Sequence, residues 1–168
     1  ISIRLVGSEM CIRDSLVRDF HVRVIGNEPL TVKFFFSHDL HIYGDKQKDT
    51  AFYEPYTNSI IHYRGQRYFL IGGRSSNPVQ CVTGRQGGRY DSILKTMTGM
   101  RSCGISNYTV GKAGYRGLEG TWKDAEDGEL QGHTVEQGSV DSTVGIYSVC
   151  EPDDVTSVSM WLLSLIHI

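Results

Sequence analysis

Two stretches near the start of the chain carry apolar side chains at every second residue. Phe20, Val22 and Val24 alternate with His21, Arg23 and Ile25. After Asn27-Glu28-Pro29, Leu30, Val32, Phe34 and Phe36 alternate with Thr31, Lys33, Phe35 and Ser37. Period two is the repeat of an extended backbone, whose successive side chains point to opposite faces. Proline fixes φ and asparagine accepts turn geometry, so the intervening triplet reads as a turn. The expectation is a hairpin with one strongly apolar side, its second strand running on through Ile42, Tyr43 and Gly44. Leu30, Val32, Phe34 and Phe36 are expected to share a buried face.

The rest of the chain repeats this grammar. Asp45–Thr50 reads as a polar loop. Ser59–Tyr63 and Arg67–Ile71 flank Arg64-Gly65-Gln66, with glycine where a left-handed backbone is cheapest, and Gly72-Gly73 reads as the end of the second strand. Ile105–Val110, Val140–Val149 and Val155–Leu162 read as later strands. No helical stripe persists over three turns; a short helix is expected, if anywhere, at Asp91–Met97. Nineteen glycines against four prolines, with nine tyrosines, suit strands joined by tight turns. The predicted fold class is all-β, an antiparallel β-sandwich.

Charge excludes some functions. Seventeen Lys+Arg against 19 Asp+Glu give a net charge of -2, with no basic excess for a nucleic acid partner. No run of about 18 apolar residues offers a membrane span. Arg4 and Glu9 interrupt Ile1–Ile12, which therefore makes a poor signal peptide. Cys11, Cys81, Cys103 and Cys150 form no CxxC pair and match no zinc ribbon or disulfide framework, and read as unpaired thiols.

Candidate chemistry is thin. Glu119, Asp124, Glu126, Asp127 and Glu129 crowd one segment, and a glycosidase needs two carboxyls across a sugar ring. Asp127-Gly128 is equally a turn pair, so a solvated turn accounts for these acids, and their spacing fails the pattern of a calcium loop. His38 and His41 lie three apart, on opposite faces of a strand, where they could not share one metal ion. Gly84, Gly87 and Gly88 lack the context and lysine of a P-loop. Ser139 and Ser142 have no GxSxG elbow. Tyr53, Tyr56, Tyr63, Tyr68 and Trp122 could stack on sugars, but such residues more often belong to cores or edges, and Trp122 is expected to be a structural anchor rather than a catalyst, worth roughly 3–5 kcal/mol if its indole is buried. No residue is therefore assigned a catalytic, cofactor-binding or metal-binding role, and no cofactor is expected.

Three blocks resemble the N-terminal domain of bacterial and archaeal glycoside hydrolases of family 15, a group that includes glucoamylases, glucodextranases and trehalases. They are Phe34–Gly73 (with HDLHIYG, DTAFYEP and HYRGQRYF), Gly117–Val149 (with EGTWKDAEDGEL) and, more weakly, Ile105–Gly117. Arg74–Gly104 departs from the family's pattern. The resemblance implies a large β-sandwich of the supersandwich, galactose-mutarotase-like kind, here truncated. It implies a partner in cis, an (α/α)6 barrel carrying both catalytic carboxylates, and an α-glucan or α-glucoside substrate hydrolysed with inversion. On this reading the acids of Glu119–Glu129 belong to a sandwich motif, and this chain alone is inactive. The alternative is a free carbohydrate-binding β-module.

The two ends read differently. Ser2–Ser15 resembles translated sequencing-adapter text, and Leu163–Ile168 resembles its companion from the other side. Residues 1–15 and 163–168 are thus expected to lie outside the biological domain, residues 16–162, and to pack poorly.

Overall fold

The computed structural model describes residues 2–12, 15–44, 48–79, 104–114 and 120–166. Among these residues, ten strands make two antiparallel sheets: β1 Ser2–Ile12, β2 Ser15–Ile25, β3 Leu30–His38, β4 Asp49–Glu54, β5 Ser59–Arg64, β6 Arg67–Ser75, β7 Asn107–Lys112, β8 Val135–Gly138, β9 Val140–Cys150 and β10 Val155–Ile166. The larger sheet runs β1-β2-β10-β6-β5-β4-β8, and the smaller runs β3-β9-β7. The fold is all-β, with the core between the sheets.

That core follows from the alternation. Val22 and Val24 are buried, whereas His21, Arg23 and Ile25 face water. Leu30, Val32 and Phe34 pack from β3 onto Val22, Val24 and Cys150. Phe36 joins a second cluster built on Ile60, Ile71, Ile105, Val110 and Val144. The four β3 residues do share one face, half-buried. The expected hairpin is corrected: β2 and β3 belong to opposite sheets, and Phe20 meets Phe34 and Phe36 at centroid distances of 5.9 and 5.6 Å. Alternation fixes which face is apolar and is silent on which strand supplies the hydrogen bonds.

Four further expectations change. β3 stops at His38, and Ile42–Gly44 is a 3₁₀ turn in which Tyr43 adopts φ +64°. Its ring lies under the Arg67 guanidinium, 4.2 Å from centroid to carbon. Asp49 and Thr50 open β4 rather than close a loop. Gly72 and Gly73 lie inside β6, where Trp161 covers the first and Ile146 the second. A short helix, α1, spans Thr121–Asp124, while Asp91–Met97 lies outside the described residues.

The end segments are strands. β1 pairs with β2 from Ser2↔Ile25 to Ile12↔Ser15, and Leu163–Ile166 continues β10 against β6. The expectation of poor packing meets paired backbone at both ends; pairing of this kind needs only N–H and C=O groups in register.

The large sheet's outer surface departs from the usual apolar-in, polar-out pattern. Phe52, Ile61, Leu70 and Leu163 stand opposite one another across β4, β5, β6 and β10. They alternate with the core-facing Tyr53, Ile60, Ile71 and Leu162. Tyr63 and Tyr68 stack beside this row at 5.7 Å, and Trp161 lies over Gly72.

Candidate functional site

The acid-rich segment forms one wall of an open cleft of about 510 Å³, lined on other sides by β7 and by Gln131 and His133. Thr121 starts α1 by donating its N–H to both carboxylate oxygens of buried Asp141, each at 3.2 Å. Burial raises the Asp141 carboxyl above its ordinary range, and the Thr121 hydrogen bonds offset part of that rise. Ala125–Asp127 continues as a 3₁₀ turn, and Gly128 ends it at φ +84°. That is the left-handed position expected of Asp127-Gly128.

Each described acid of the segment has a local structural task. Asp124 accepts the Gln131 N–H at 2.8 Å, and Asp127 accepts the Glu129 N–H at 2.9 Å. Glu126 pairs with Lys123 at 2.6 Å, an exposed i,i+3 contact. Glu129 binds Lys33, which also donates to the Gly128 carbonyl, so this turn is tied to β3. The Glu129 hydrogen bond raises the Lys33 ammonium. Lys112, Gln131 and His133 complete the polar lining. Glu119 lies outside the described residues.

Trp122 corrects the sequence expectation. Its side chain is 51% exposed, because four residues of helix turn it outward while Thr121 takes the inward position. Trp122→Ala is therefore expected to cost about 1 kcal/mol, well below the roughly 3–5 kcal/mol of a buried indole. Urea unfolding of the variant measures this directly. Tyr56 is fully exposed, Tyr68 partly so, and Tyr53 is buried against Tyr108 at a centroid distance of 3.9 Å. Burial pushes the Tyr53 hydroxyl up to about 12.

The histidines separate as well. His41 is exposed and pairs with Asp39 at 3.1 Å, whereas both ring nitrogens of His38 are shielded from water. What sequence reading missed is His62. It is fully buried on β5, and its Nε2 shares a 2.8 Å hydrogen bond with the Ser142 hydroxyl on the opposite sheet. Ser142 stands opposite His38 in the β3–β9 register, so the two imidazoles flank one hydroxyl. The available signal was parity: His62 lies two residues from Ile60 and shares its face. Both imidazoles are held neutral by burial, His38 down to about 4 and His62 to about 3. With Ser142 completely buried, this Ser–His contact acts as an inter-sheet tie, inaccessible to any substrate.

Among the described residues no cluster of three His, Cys, Asp or Glu side chains could hold a metal ion, and no helix is long and apolar enough to cross a membrane. Cys150 is a buried free thiol; the other cysteine side chains, and Gly84, Gly87 and Gly88, lie outside the described residues.

No protein-family model and no curated protein matches this chain. The family 15 resemblance rests on its motifs alone.

Proposed function

We propose that residues 16–162 are a non-catalytic part of the N-terminal β-sandwich of a glucoamylase-like hydrolase, flanked by adapter-derived text. The parent enzyme cleaves α-glucosidic bonds with inversion, using carboxylates on a barrel domain that this chain does not include. The observation that carries the reading is the apolar outer face of the large sheet. An antiparallel sheet that faced only water would place polar residues at Phe52, Ile61, Leu70 and Trp161; a scaffold that seats another domain would not. The acids of the cleft support it too, since Asp124, Asp127 and Glu129 hold the turn and its tie to β3.

Replacing Ile61 and Leu70 together by lysine removes the centre of that face. The isolated chain is expected to pass from associated to monomeric, by light scattering, with stability changed by about 1 kcal/mol. Persistent association of the variant would remove the support this face gives. Activity is tested with maltooligosaccharides: the chain is expected to release no glucose, and release abolished by substituting a cleft carboxylate would overturn the reading.

A second reading, a free carbohydrate-binding module, is favoured by exposed Trp122 beside the polar cleft. Retention of the chain on immobilised α-glucan, lost in Trp122→Ala, would select it.

A further inference from the structure

We propose that acid opens this sandwich from one end: the tie between the sheets at Ser142 gives way while the tie at Ser148 holds. The core-facing side of β9 presents Ser142, Val144, Ile146, Ser148 and Cys150, all buried. Both serines reach the large sheet. Ser142 shares its 2.8 Å hydrogen bond with His62 of β5, and Ser148 shares one of 2.5 Å with Ser75 of β6. About 20 Å of extended strand separates the two serines, with Val144 and Ile146 filling the space between them.

The two ties differ in chemistry. At the Ser148 end every partner is a hydroxyl or an amide, and none of these titrates between pH 4 and 7. Ser148 also donates to the Asn77 carbonyl at 3.0 Å, Asn77 exchanges hydrogen bonds with the Val149 main chain, and Thr156 of β10 donates to the Val149 carbonyl at 3.2 Å. At the Ser142 end the partner is an imidazole, with a second, His38, beside the same hydroxyl. A protonated imidazole donates from both ring nitrogens, and one hydroxyl in a dry interior is a poor match for two cations. The surroundings supply little compensation. Arg18 of β2 opposes a proton on His38, and Asp39 alone favours one on His62. Asp49 and Arg64 pair with each other at 3.7 Å, one step along the same face, Asp141 turns away to Thr121, and β7 places Val110 opposite Ser142. Opening this end lets both imidazoles take up protons in water, so falling pH favours the opened form. General unfolding would expose both ends together, whereas this asymmetry exposes them in order.

Thiol labelling reads the two ends separately. Cys150 is a buried free thiol at the end that holds. Val144→Cys places a second thiol on the same face of β9, beside Ser142, in a chain whose Cys11, Cys81 and Cys103 are replaced by serine. A dithiodipyridine reagent labels both, and each rate is divided by that of the urea-unfolded chain at the same pH. Between pH 7 and about 4.5, labelling of the introduced thiol is expected to rise about tenfold or more relative to Cys150. His62→Gln with His38→Leu is expected to abolish that rise. Rates that climb in step at both thiols, no rise at either, or a rise that survives in the double variant overturns the proposal. Should Val144→Cys fail to fold, Val110→Cys on β7 gives the same reading. None of these outcomes depends on whether the parent is a glycosidase.

Discussion

Stability is expected to fall by several kcal/mol as pH drops from about 6.5 to about 4. The cause is the pair of buried imidazoles flanking Ser142. In the unfolded chain a histidine takes up its proton near pH 6.5. In the folded chain burial delays that uptake, to about 4 for His38 and about 3 for His62. Between those values the unfolded state binds more protons, so stability rises with pH. The contribution is complete above pH 6.5 and is lost as pH falls through the folded values. Each histidine supplies on the order of 3 kcal/mol across this window, and the two are coupled, since a charge on His38 opposes one on His62. Arg18 adds to the depression of His38, whereas Asp39 works against that of His62. Asp141 has the opposite sign: burial raises its carboxyl, so the folded state holds that proton more readily as acid is added. Urea unfolding at pH 7, 5.5 and 4 measures the slope. His62→Gln with His38→Leu, which keeps an amide for Ser142 and removes both titrations, is expected to flatten it. A wild-type slope unchanged by the double variant would refute this account of the pair.

Gly73→Ala is expected to destabilise the chain by about 1–3 kcal/mol although it adds one methyl group. A Cβ at Gly73 would overlap the Ile146 side chain and lie 2.8 Å from the Ser159 carbonyl oxygen. The side chain can move, but the carbonyl belongs to β10, which is paired on both edges. Combining Gly73→Ala with Ile146→Val removes the offending methyl and should recover part of the loss, so the two changes should be markedly non-additive. The carbonyl contact would remain. Thermal melts of the two single variants and the double variant decide it, and simple additivity would show that the Ile146 contact is not what excludes a side chain at Gly73.

These effects also show what was legible in the sequence. Alternation at Phe20–Val24 and Leu30–Phe36 identified strands and their buried faces, because side-chain parity is a local property. It could not reveal that β2 and β3 lie in different sheets, since partner choice depends on distant residues such as Cys150 opposite Leu30 and Trp161 opposite Val17. The Gly72-Gly73 pair looked like punctuation because glycine marks strand ends and close packing alike. Only the placement of Trp161 and Ile146 separates those meanings. In the cleft, Asp127-Gly128 was readable as a turn from local chemistry. The outward rotation of Trp122 was not, as it depends on Thr121 being anchored by Asp141, twenty residues on. His62 escaped notice because a lone histidine among apolar neighbours carries no motif; its partner on the other sheet gives it meaning.

The proposed origin of this chain is the sandwich of a larger, barrel-bearing hydrolase. Reading the gene itself, on long DNA recovered with the codons for residues 16–162, tests it most directly. The account predicts further strand-coding sequence ahead of Leu16, no codons for Ser2–Ser15 or Leu163–Ile168, and an open frame beyond Leu162 that encodes a helical barrel with two carboxylates facing across its mouth. A native stop codon soon after Leu162, or genomic codons for the two end segments, would contradict it.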